Sequence, residues 1–83
     1  MTDFATYLRA VREGHNLTAV ELARRSELSK GYIHALEHGK SDPSLTTLIK
    51  LAHVFGMPLA AFVAPLDVQA EREDVLPFEE YEA

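Results

Sequence analysis

The chain has 83 residues, 47% of them hydrophobic and 25% charged, with a formal net charge of −5 and no cysteine. That is room for one compact domain and not for two, in an ordinary globular balance that argues against wholesale disorder, and it leaves neither a disulfide framework nor thiolate chemistry. No apolar run approaches the roughly 20 residues that span a bilayer, and Met1-Thr2-Asp3-Phe4 lacks the basic-then-apolar layout of a signal peptide, so a cytoplasmic location with no membrane partner is expected.

Phe4, Leu8 and Val11 fall at the i, i+4, i+7 spacing of an amphipathic helix, with Arg9, Arg12 and Glu13 on its other face. This first helix should stop near Gly14-His15-Asn16, because asparagine tolerates the left-handed backbone that commonly closes a helix. Leu17 re-enters the core. Thr18 followed three residues later by Glu21 spells a capping box and opens a second helix over about Ala19–Ser26. Its buried side is expected to be Leu22 and Ala23, which leaves Val20 outside.

Leu28 and Ser29 form the next junction, and Ser29 is a good N-cap for a third helix from Lys30 to His38, stopped by Gly39. Only Ile33 and Leu36 face inward there, so Lys30, Gly31, His34 and Ala35 point outward on a face free of acids. Gly39-Lys40-Ser41-Asp42-Pro43 leads to Ser44, a second clear cap, and to a fourth helix carrying Leu45, Leu48, Leu51, Ala52 and Phe55. Gly56 ends it. Pro58 suits the first turn of a short fifth helix, whose Leu59 and Phe62 close the core, and Pro65 marks the domain boundary. The expected architecture is therefore all-α, a compact five-helix bundle over residues 1–65 followed by an acidic C-terminal tail, 66–83. No internal repeat is visible.

The charge divides along the same line. Up to residue 63 seven basic side chains face six acids, for +1; from residue 64 onward Arg72 stands against seven acids, for −6, which accounts for the whole imbalance. Helices two and three, joined by about three residues, suit a helix-turn-helix. In that arrangement a serine cap offers backbone amides to a phosphate, and side chains at the first positions of the second helix reach base edges in a major groove.

Over roughly residues 4 to 63 the chain resembles the phage-repressor-like, or XRE-type, helix-turn-helix regulators with the lambda-repressor-like fold. The resemblance is carried by Leu8-Arg9 and Arg12, by Leu17-Thr18 with Glu21-Leu22-Ala23, by Leu28-Ser29 with Tyr32-Ile33, and by Leu36-Glu37 with Gly39-Lys40. Pro43-Ser44-Leu45, Leu48, Lys50-Leu51-Ala52, Gly56 and Leu59 continue it in register. It implies a homodimer that places two recognition helices in successive major grooves, about 34 Å apart, on a palindromic operator in double-stranded DNA, most often as a repressor of transcription.

By position, the resemblance implies base reading at Lys30, Gly31 and Ala35, phosphate contact at Ser29, Tyr32 and Lys40, and an ion pair of Arg12 with Glu37 that ties helix one to helix three. Two departures bear on this. Ala19 stands where the family usually has a glutamine that braces a phosphate, and Gly31 and Ala35 donate no hydrogen bonds, although Ala35 can still touch a thymine methyl. Lys30 and His34 are then the expected readers, lysine commonly bonding O6 and N7 of guanine.

Several residues have blander readings. His15, His34, His38 and His53 come from different elements; only His34 and His38 have i, i+4 ligand spacing, and with no cysteine and no third ligand nearby, neither a metal site nor a cofactor is expected. Glu79 and Glu80 lie in the tail rather than a cleft, and no phosphate loop or nucleophile constellation is present, so no enzymatic role is expected. A dimer of this size needs an apolar patch, for which Val20, Met57 and the fifth helix are the candidates.

Three readings stay open for the tail: a disordered solubilising segment, a dimerisation or partner-binding element using Val75, Leu76, Phe78 and Tyr81, and an acidic arm that competes with DNA. Beside the dimeric repressor stand two alternatives, an antitoxin-type regulator that binds a basic toxin through its tail, and a protein-interaction module that has lost DNA binding.

Overall fold

The computed structural model describes residues 3–70. It contains α1 (Phe4–Gly14), α2 (Ala19–Ser26), α3 (Lys30–Glu37), α4 (Leu45–Val54) and α5 (Leu59–Ala70), with no strand among the described residues. Each of the first four helices starts on a side-chain cap. Asp3, which the sequence did not mark, accepts the Ala5 amide at 2.8 Å. Thr18 and Glu21 form the expected box, with the Thr18 hydroxyl accepting the Glu21 amide at 3.0 Å and the Glu21 carboxylate accepting the Thr18 amide at 2.8 Å. Ser29 and Ser44 accept the amides of Tyr32 and Thr47. Such caps satisfy amides that a helix start otherwise leaves unpaired.

The connections are closed by left-handed residues. Asn16 has φ 57°, as its position after α1 suggested, whereas Glu27, between α2 and α3, takes φ 60° without being glycine or asparagine. A glutamate pays a steric penalty there, because its Cβ crowds the neighbouring carbonyl.

Leu8, Leu17, Leu22, Ala23, Ile33, Leu36, Leu51, Ala52, Phe55 and Phe62 form one buried cluster. Phe62 is fully enclosed, with the rings of Phe4, Tyr7 and Phe55 centred 6.4, 5.5 and 5.6 Å away. The Tyr7 hydroxyl donates to the Phe62 carbonyl, and burial raises its pKa above the ordinary tyrosine value.

Two expectations are corrected. Leu45 does not join the core: it is 64% exposed, with Ile49 beside it on the surface at 50%. Leu45 shares the stripe of Ala52 but precedes it by about two turns, roughly 10 Å along the axis, where the core has already ended; the buried slot in that first turn goes to Thr47. Nor is α5 short, for it continues through Pro65 to Ala70. The missing proline N–H takes away only the partner of the Ala61 carbonyl, and Ala61 is exposed, so water can replace that bond. The remaining tail residues, with Val75, Leu76, Phe78 and Tyr81, lie outside the described residues.

Candidate nucleic-acid interface

The outer face of α3 is fixed from behind by polar contacts. Glu37, at the end of α3, is 4% exposed. Its carboxylate accepts two hydrogen bonds from the Arg12 guanidinium of α1, at 2.6 and 3.0 Å, in a forked pairing. The same Arg12 donates to the Leu17 carbonyl at 2.9 Å, and Arg9 donates to the Glu37 main-chain carbonyl at 2.6 Å. Arg12 is held above its ordinary pKa, first by its hydrogen bond to Glu37, with burial working against it and the Glu37 charge supporting it. The pairing expected from the sequence is thus present, and it has a consequence for the surface. The one acid of α3 is turned inward and neutralised, so the exposed side of the helix carries no negative charge.

Ser29, Lys30, Gly31 and His34 are exposed on that side and Ala35 is half-buried among them, so the structure gathers these predicted residues on one face. A Cβ placed on Gly31 would meet nothing within 4 Å. Packing therefore does not demand a glycine here. A glycine inside a helix costs up to about 1 kcal/mol against alanine, and what it leaves is a bare stretch of backbone on the exposed face of α3.

Lys40 sits at the other end. Gly39, at φ 71°, turns the chain so that the Lys40 amide returns to the Ala35 carbonyl at 2.8 Å and the Gly39 amide to Leu36 at 3.4 Å, a Schellman closure that fixes the backbone under the lysine. His34 and His38 stack, ring centres 3.9 Å apart and 24° from parallel, and His38 Nδ1 donates to the His34 carbonyl at 2.8 Å. Among the described residues no cluster of three or more histidines or carboxylates stands close enough to hold a metal ion.

Tyr32 differs from its neighbours. It is half-buried, and its hydroxyl lies 3.0 Å from Thr47 Oγ1 in the first turn of α4, so this side chain bridges the starts of two helices. Sequence reasoning missed Thr47 and the role of Arg9. A threonine three residues after a serine cap reads as the ordinary continuation of a helix, and its tyrosine partner lies 15 positions away. Arg9 was legible as a polar-face residue of α1 and as part of the family pattern, neither of which points to the Glu37 carbonyl.

Comparison with known proteins agrees with this arrangement. The helix-turn-helix family HTH_3 matches residues 8–62. An uncharacterised HTH-type transcriptional regulator of Methanocaldococcus jannaschii is 42% identical over 52 residues, 63% of this chain and 79% of that protein. The immunity repressor of Bacillus phage phi105 is 36% identical over 56 residues, 68% of this chain; the match spans only 39% of the repressor, so that protein is much the longer. Among solved structures, the restriction-modification controller protein C.AhdI of Aeromonas hydrophila superimposes with a TM-score of 0.68 at 28% identity, over 72% of this chain and 91% of its own.

Proposed function

The chain belongs to the helix-turn-helix family HTH_3 of DNA-binding transcriptional regulators, and from that premise we propose that it is a dimeric repressor whose two α3 helices read a palindromic operator in successive major grooves. The observation that supports this best is the outer face of α3, free of acids and fixed in rotation by the Arg12–Glu37 pairing behind it. Lys30 reads base edges, with His34 as a second reader and Ala35 touching a thymine methyl. Gly31 lets the helix sit deep, and Ser29, Tyr32 and Lys40 meet phosphate. The protein acts in the cytoplasm and without a catalytic centre; no single helix among its described residues is long and apolar enough to cross a membrane. The helix-turn-helix domain covers residues 1–65, and the acidic tail, 66–83, serves as a second binding element for a subunit or protein partner.

The second reading, a protein-interaction module, is favoured by Ala19, Gly31 and Ala35, which together remove hydrogen-bond donors from a face of this kind. Binding to labelled DNA from the gene's own upstream region, at two salt concentrations, separates the two. A repressor binds selectively and loses affinity steeply with salt as counterions are released, and Lys30→Ala costs about 1–3 kcal/mol of discrimination at one base pair per half-site. Absence of binding to any DNA selects the interaction module.

A further inference from the structure

Three hydroxyls lie in a row between α4 and α3. Ser44 Oγ, the cap of α4, stands 3.0 Å from Thr47 Oγ1, which stands 3.0 Å from the phenol oxygen of Tyr32. The direction of the protons along this row follows from what each oxygen already does. Ser44 Oγ accepts the Thr47 amide at 3.1 Å and donates its own proton to Thr47 Oγ1. Thr47 is 4% exposed, so its proton has no water to go to. Burying a hydroxyl whose hydrogen lacks an acceptor is strongly disfavoured, and among the described residues no buried side-chain polar atom is left without a partner. The acceptor in reach is the Tyr32 oxygen. With Ser44 donating to Thr47, a Tyr32 that donated there as well would make the threonine accept twice and leave its own hydrogen stranded.

We infer that Thr47 is a positioning residue that turns Tyr32 into an outward-facing donor for a phosphodiester oxygen beside the first turn of α3. With its oxygen occupied by the Thr47 proton, the phenol aims its own hydrogen away from the protein, and donation in series polarises each O–H in turn and strengthens the last one. A pure donor fits an acceptor-only ligand such as a phosphate oxygen, and the amide-rich starts of α3 and α4 favour negative charge at the same place. The contact positions the helix and carries no base preference. This inference rests on the DNA-binding reading above and adds to it a residue that touches no nucleic acid.

Two measurements test it. In the free protein, NMR should find a protected Thr47 hydroxyl proton with cross-peaks to the Tyr32 ring, while the Tyr32 hydroxyl proton exchanges with solvent; a protected Tyr32 hydroxyl proton and no protected threonine proton overturns the inference without reference to DNA. In operator binding, Thr47→Val should weaken affinity roughly three- to tenfold, the worth of one hydrogen bond, as should Tyr32→Phe, with the double variant no weaker than either. Thr47→Ser should restore binding, and the salt slope should stay unchanged, because a hydroxyl displaces no counterion. If Thr47→Val costs the same in the Tyr32→Phe background, its role is only structural and the inference fails. A wild-type chain that shows the expected proton direction yet binds no DNA sinks the repressor reading and the phosphate assignment, and leaves the proton order standing.

Discussion

Around α3 the restraining contacts are directional, and around α5 they are almost wholly apolar. Arg12 and Arg9 hold Glu37 through its carboxylate and its carbonyl, and the two ends of α3 are closed by the Ser29 cap and the Gly39 turn. Phe62 of α5, by contrast, is packed among Phe4, Tyr7 and Phe55, with the Tyr7 hydroxyl donating to its carbonyl from α1. Burial of apolar area is insensitive to a few degrees of rotation, whereas a forked ion pair is not. A helix that only closes a core can rely on the first. A helix that, on the proposed reading, presents Lys30 and Gly31 to DNA at a set angle needs the second.

The contrast can be broken by mutation. The largest expected effect is at Phe62: Phe62→Ala should cost about 3–5 kcal/mol in urea unfolding, yet the fraction that stays folded should bind DNA with unchanged base selectivity. Arg12→Met should cost about 3 kcal/mol, because it takes both hydrogen bonds from the buried Glu37 carboxylate and leaves it only the half-exposed Arg9 guanidinium, 4.0 Å away. Here the loss should be accompanied by faster amide exchange in α3 than in α5, and by relaxed selectivity. If both variants relax selectivity equally, the division of labour drawn here is wrong.

The smallest effect sharpens the comparison at the edge of the directional half. The Glu21 carboxyl is held below its ordinary pKa, first by the Thr18 amide, then by the Thr18 hydroxyl, with smaller help from Arg25 and Arg24. A carboxyl depressed in the folded state stabilises that state above its unfolded pKa and loses the contribution as pH falls through the folded value. Glu21→Gln should therefore be less stable than wild type at pH 7, by a margin that closes in acid. A margin that persists below the carboxylate range would assign the effect to shape rather than charge.

Much of this arrangement was legible in the sequence, for reasons that differ from residue to residue. Thr18, Ser29 and Ser44 could be read as caps because the chemistry of a helix start is local. The outward face of α3 could be read because Ile33 and Leu36 fix its rotation. Leu45 was misplaced because periodicity gives the direction of a side chain but not where the core stops. The length of α5 was misjudged because a proline inside a helix is normally costly, whereas the carbonyl that Pro65 leaves without a partner belongs to the exposed Ala61 and can find water. Thr47 stayed hidden, since the worth of its hydroxyl depends on a tyrosine that only the tertiary fold brings near. Glu27 gave no sign at all, glutamate being an unusual occupant of a left-handed turn.

That last residue has a consequence at the level of the gene. Glutamate and glycine codons differ by a single base, and glycine carries no Cβ to clash at φ 60°. One nucleotide change between α2 and α3 would therefore add about 1 kcal/mol to the folded state while leaving the core and the outer face of α3 untouched. Stability, and with it the lifetime of the protein in the cell, can be adjusted at this turn independently of which DNA sequence is recognised.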